Sequence, residues 1–210
     1  MVDFDVVPNH TALVNVDMQC YFVEGYAVSA PDGPKVLTRI NRLADTCRKA
    51  GILVIHTSNV FRPDGSNLGV LGQISPTVKQ GHLYKGSEAA ALHKNLEVQP
   101  NDILLDKPRF GAFYGTDLEL ILHARGIDTI IVTGIATNVC CETTAREAAV
   151  RDFRVFFLSD ATATFDIGDV SAAELQRTTC ATLGLLFAQV LSTDEMIKKI
   201  AAGAEAIASR

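Results

Sequence analysis

Residues 126–151 read GIDTIIVTGIATNVCCETTAREAAVR. An apolar, β-branched run (129–134) passes through a turn of small and capping residues into a stretch (139–151) where Cys141, Ala145 and Ala148 recur at helical spacing. Gly126 stops a preceding amphipathic stretch, read as a helix over 116–125. Near-continuous apolarity in a short strand flanked by helices is the mark of a parallel sheet covered on both faces.

The same alternation extends in both directions. Toward the N-terminus, 11–17 (TALVNVD) predicts a buried strand, 34–50 a helix stopped by Gly51, 52–56 a strand and 102–107 another. Toward the C-terminus, 154–159 (RVFFLS) predicts a strand, 171–186 a helix, 188–191 a short strand and 193–202 a last helix, with Thr193 as N-cap and Met196 near a capping-box position. Between them, 59–96 is rich in Gly, Ser and Pro and weakly periodic, an excursion over the sheet with one short helix at most. Right-handed crossovers then predict an α/β protein of three αβα layers, its six strands forming a doubly wound, Rossmann-like parallel sheet, as a single domain over 1–210.

Composition removes several classes of function. Nineteen basic against 24 acidic residues give a net charge of −5, so no basic stripe offers itself to nucleic acid. MVDFDVVPNH lacks the basic and apolar regions of a secretory signal, and no apolar run approaches membrane-spanning length. The 5 cysteines are odd in number, with no CxxC pair or zinc spacing, and read as reduced thiols of a cytoplasmic protein.

In a doubly wound sheet the ligand crevice lies beyond the carboxyl ends of the strands. Three reactive groups fall there: Asp17, Lys107 and Cys140. Thr137 or Asn138 is placed to cap the helix that carries Cys140, whose first-turn amides favour a thiolate and can hold an oxyanion. Taken singly, each residue has an ordinary reading too: a buried small hydrophobe, a loop acceptor, a solvated lysine. Taken together, they supply a nucleophile, a base and a charge that lowers the thiol pKa. No GxSxG, HExxH, Walker A or GxGxxG sequence competes. Gln19, Phe22, His56, Phe113 and Thr137 are the candidate substrate contacts, although Phe22 also suits packing and His56 a structural role.

VNVDMQ, DKPRFGAF and TGIATNVCCETTAREA, in this order, resemble three motifs of the isochorismatase-like cysteine hydrolases. That superfamily includes nicotinamidases and N-carbamoylsarcosine, ureidoacrylate and biuret hydrolases. The resemblance implies Asp17, Lys107 and Cys140 as the catalytic triad and a cis, non-proline bond between Ile135 and Ala136. It also implies the backbone amides of Ala136 and Cys140 as oxyanion donors. Nicotinamidases carry an Asp/His/His metal site after the second strand. HTSNVFRPDGSNLG has no histidine after His56, so no metal and no cofactor are expected and nicotinamide is disfavoured. KPRFGAFYGTDLELILHARGI with TGIATNVC looks closest to the ureidoacrylate, biuret and carbamoyl-amide branch. The expected activity is hydrolysis of a C–N bond in a small ureido, carbamoyl or simple amide. The expected assembly is a homodimer or homotetramer. A vinyl-ether hydrolase and a non-catalytic binding protein of the same fold are the alternatives.

Overall fold

The computed structural model describes residues 2–208 and contains one parallel sheet of six strands in the order β3-β2-β1-β4-β5-β6. The strands are β1 (Thr11–Val16), β2 (Leu53–Asn59), β3 (Ile103–Lys107), β4 (Thr129–Ile135), β5 (Arg154–Ala163) and β6 (Gln189–Leu191). The principal helices are α2 (Gly33–Lys49), α4 (Leu118–Ala124), α5 (Glu142–Ala149), α6 (Ala172–Leu186) and α7 (Thr193–Ala208); α1 (Cys20–Val23) and α3 (Leu71–Ile74) are single turns. None of the helices among the described residues is long and apolar enough to cross a membrane.

Strand periodicity divides the core in two. Leu13, Ile131, Phe156 and Leu158 pack on one face with Ile40 and Leu43 of α2 and Met196 and Ile200 of α7. Ala12, Val14, Ile130, Val132, Val155 and Phe157 pack on the other with Leu118, Leu122, Ala145, Ala148 and Leu183. Burial of both faces accounts for the largely apolar character of the central strands β1 and β4.

The chain proceeds outward from β1 through β2 to β3, and from β4 through β5 to β6. The switch point therefore falls between β1 and β4, which pair from Thr11↔Thr129 to Val16↔Gly134. At Gly134 φ is +120°, and a Cβ would stand 2.0 Å from the Val16 carbonyl oxygen. Only glycine lets β4 pass so close to the end of β1.

Several boundaries differ from those expected. β2 continues three residues past His56, because Thr57, Ser58 and Asn59 pair with β3. β5 runs beyond Ser159 to Ala163: after a register shift, Gly134 and Ile135 pair with Thr162 and Ala163. The N-cap of α7 is Ser192, not Thr193. Its hydroxyl accepts from Glu195 N–H (3.3 Å) while the Glu195 carboxylate accepts from Ser192 N–H (2.8 Å), so the capping-box partner is Glu195 rather than Met196. Thr193 bonds Asp160 instead. The excursion after β2 holds α3 and a 3₁₀ segment, Pro76–Gln80. Its return limb is zipped to the residues beyond β1, with Cys20 N–H donating to Ala91 O, Tyr21 N–H to Ala89 O and His93 N–H to Met18 O.

Candidate active site

Asp17, Lys107 and Cys140 meet at the switch point. Asp17 leaves β1 in the left-handed region (φ +52°), a conformation that costs an L-residue of order 1 kcal/mol and tends to mark functional positions. Lys107, the last residue of β3, reaches beneath Asn59 of β2 so that its Nζ lies 2.7 Å from Asp17 Oδ2. Neither side chain is exposed at all. The loop after Pro108 curls back to receive the ammonium: Nζ donates to the carbonyls of Arg109 (2.9 Å) and Phe110 (2.8 Å). Thr57 Oγ1 donates to Asp17 Oδ1 at 2.7 Å. Asp17 Oδ2, in ion-pair contact with the lysine, is the one buried side-chain oxygen or nitrogen among the described residues without an aligned hydrogen bond.

Cys140 arrives from the other side. The bond Ile135–Ala136 is cis, as the resemblance implied. The following turn, Thr137–Cys141, is wide, with Cys141 N–H bonded to the carbonyl of Ala136 five residues back. Neither Thr137 nor Asn138 caps it. Thr137 Oγ1 donates to Gln176 Oε1 of α6, and Asn138 Oδ1 accepts from Thr164 Oγ1 beyond β5, so the turn is clamped from outside. Separations of 39 and 26 residues left no local signal for these clamps.

The charge balance sets the expected lowering of the thiol pKa by Lys107 against burial. Burial dominates and pushes the Cys140 thiol up to about 12. Lys107 opposes the shift, the Asp17 carboxylate adds to it by its charge and by accepting the thiol proton, and the Ala136 N–H, directed at the sulfur, lowers it slightly. For Lys107, burial favours the neutral amine, but Asp17 and Cys140 outweigh it and the net shift is upward. Burial thus favours the neutral form of the thiol, which sits beside the Asp17–Lys107 ion pair. Cys141 is also raised by burial and packs in the core with Ala145 and Ala148.

The enclosure is nearly complete, with Cys140 only 6% exposed. Cavity size does not locate these groups. A cavity of about 680 Å³ beside β3 touches Lys107, Lys85 and Arg62 but neither Asp17 nor Cys140. Another, of about 570 Å³, lies at the opposite end of the sheet around Arg48, Asp102 and Arg125.

Several of the expected substrate contacts are engaged within the protein itself. Gln19 is buried with its carboxamide fully engaged: Nε2 donates to Asn59 O and Ala90 O, and Oε1 accepts from Asn59 N–H, which latches the excursion to β1. Phe113 packs in the core with its ring 5.7 Å from that of Phe153. Phe22 is half-buried against the α2-side core, away from the Cys140 face. Thr137 is buried and spent on Gln176.

His56 is interior to β2 and projects to the α2 side, where its ring contacts Asn15 Nδ2 (3.2 Å) and Asp102 Oδ2 (3.1 Å). Arg48 closes this network through a bidentate bond to Asp102. Burial, only partly offset by Asp102, lowers the His56 pKa from its ordinary 6.5. The sign follows directly. Below pH 6.5 the unfolded chain binds a proton that the folded chain refuses, so stability present above that pH is lost as pH falls. Thermal unfolding should show the wild-type midpoint declining from pH 6.5 toward pH 5, more steeply than in His56→Gln; parallel profiles would remove this assignment.

Comparisons with known proteins agree with this geometry. The family model for the isochorismatase domain matches residues 11–195. A ureidoacrylate amidohydrolase of Methylorubrum extorquens is 39% identical over 173 residues, covering 72% of this chain and 69% of the relative. Nicotinamidase 3 of Arabidopsis thaliana is 32% identical over 191 residues, 90% of this chain and 88% of the relative. A cysteine hydrolase structure from Pseudomonas syringae pv. phaseolicola 1448A superposes with a TM-score of 0.90 at 36% identity, covering 96% of this chain and 97% of that one. With its sheet order, its cis bond before Cys140 and a matching domain that spans most of its length, this chain belongs to the isochorismatase family.

Proposed function

We propose that the protein is a cysteine amidohydrolase that cleaves a C–N bond in a small ureido, carbamoyl or simple amide, with Asp17, Lys107 and Cys140 as its catalytic residues. The observation that carries this reading is the Asp17 carboxylate, buried 2.7 Å from the Lys107 ammonium and accepting a hydrogen bond from the Cys140 thiol. A carboxylate in that position is placed to take the thiol proton.

The chemistry proceeds in two balanced halves. As Cys140 Sγ forms a bond to the substrate carbonyl carbon, its proton passes to Asp17 Oδ2 and the C=O electron pair moves onto oxygen. The amides of Ala136 and Cys140 receive that oxyanion. Collapse breaks the C–N bond, and the leaving nitrogen takes the proton from Asp17. Water then adds to the thioester as Asp17 accepts its proton. Breaking of the C–S bond returns the proton to sulfur and releases the acid. Lys107, whose two bonded N–H groups are held by carbonyls, contributes fixed positive charge that limits the cost of each anionic state.

Access to so enclosed a sulfur requires the covering chain to move, and substrate binding is the natural trigger. In this reading the enzyme is cytoplasmic and self-associates; Leu185 and Leu186 of α6, 77% and 76% exposed, are available for such contact. Ammonia release from a panel of ureido acids, biuret, N-carbamoyl amino acids and nicotinamide tests the substrate class. Turnover is expected with at least one ureido or carbamoyl compound and at higher kcat/KM than with nicotinamide. A preference for nicotinamide, or no release from any of them, would contradict the proposal.

A further inference from the structure

We infer that Thr57 is a positioning residue that selects which oxygen of Asp17 receives the thiol proton, an inference that rests on the acyl-transfer reading above. Aspartate offers two equivalent oxygens, and its left-handed backbone places it outside the strand geometry that would otherwise set its direction. Thr57 removes the equivalence. Its hydroxyl donates to Asp17 Oδ1 at 2.7 Å while accepting from Asp17 N–H at 3.2 Å. The hydroxyl carries a single proton, so both of its roles are committed to one residue, and rotation away would forfeit both bonds.

Thr57 is fully buried. The register of β1 on β2, with Asn15 opposite His56, brings its side chain to the end of β1 on the Cys140 face. Oδ1 is thereby capped by the Thr57 proton, and Oδ2, on the Lys107 side, is the oxygen left to receive another. Lys107 does not duplicate this role: two of its N–H groups go to Arg109 and Phe110, and its ammonium contacts Oδ2 rather than Oδ1.

The test uses Thr57→Val, which keeps the shape and removes the hydroxyl, and Thr57→Ser, which keeps the hydroxyl. Loss of carboxylate aim should lower kcat by roughly 10- to 100-fold with KM changed by less than about threefold, because misplacement of a reacting group weakens the transition state rather than ground-state binding. Thr57→Ser should keep kcat within about threefold of wild type, since the proton donor is retained. Thr57→Ala serves if the valine methyl against the carboxylate prevents folding, with far-UV circular dichroism and the unfolding midpoint as controls. Wild-type kcat in a folded Thr57→Val or Thr57→Ala, a serine variant as impaired as these, or a rise in KM at constant kcat would overturn the inference. Cys140→Ala in the same assay separates the two claims. If it is active, the acyl-transfer reading fails and takes this inference with it; if it is dead while Thr57→Val is fully active, only the role of Thr57 fails.

Discussion

Cys140→Ala is expected to lose at least about 10⁴-fold in kcat/KM while remaining folded, because removal of a nucleophile abolishes a covalent route that the remaining groups cannot replace. The structural cost should be small. The thiol contributes little to the core beyond its volume, and truncations of this size typically destabilise by about 1 kcal/mol. The resting thiol, held up to about 12 by burial, is nearly all protonated at neutral pH. The residual activity of the variant therefore measures what Asp17, Lys107 and the amides achieve without sulfur. Steady-state kinetics on wild type and variant, with matched circular dichroism spectra, check this. A folded variant with activity within tenfold of wild type would refute the nucleophile assignment.

Lys107→Met should fail differently, losing both stability and activity. The ammonium is fully buried and lies 2.7 Å from an equally buried carboxylate, so its removal strands the Asp17 charge. Breaking a buried pair from one side costs about 3–5 kcal/mol. Neutralising the orphaned partner should recover much of this. The double variant Lys107→Met/Asp17→Asn is accordingly expected to unfold at higher urea concentration than Lys107→Met alone, and to remain inactive. A single variant as stable as wild type would mean that the pair is not ionised. A double variant less stable than either single one would mean that charge is not the reason for the loss.

The two predictions draw on features that were legible in the sequence to different degrees. The strand–turn–helix around Cys140 was readable because TIIVTG is largely apolar and β-branched and ATN, small and capping, suits a turn. Asp17 and Lys107 stood out because each interrupts or ends such a run. Their convergence with Cys140, however, depends on β1 lying between β2, which β3 flanks, and β4, which is a property of the sheet order. Thr57, which bonds the base, was not singled out; its neighbour His56, read as a substrate contact or a structural residue, faces the α2 side, because successive side chains in a strand face opposite ways. Gln19 and Phe113 lie beside motifs and so invited a substrate role, yet their partners, Ala90 and Phe153, are 71 and 40 residues away. The net thiol acidity was not legible for the same reason. Lys107 does favour the thiolate, but the extent of burial that overrides it belongs to the whole fold. What local chemistry encodes is which groups can react; what packing encodes is the proton's starting place.

The most direct measurement is acid quenching of the enzyme during turnover of a reactive carbamoyl or ureido substrate, followed by mass spectrometry of the peptide containing Cys140. The account predicts an acyl increment on Cys140, absent when Cys140 is alkylated beforehand and accompanied by loss of ammonia release. An acyl group on any other residue, or wild-type ammonia release with Cys140 fully blocked, would contradict it.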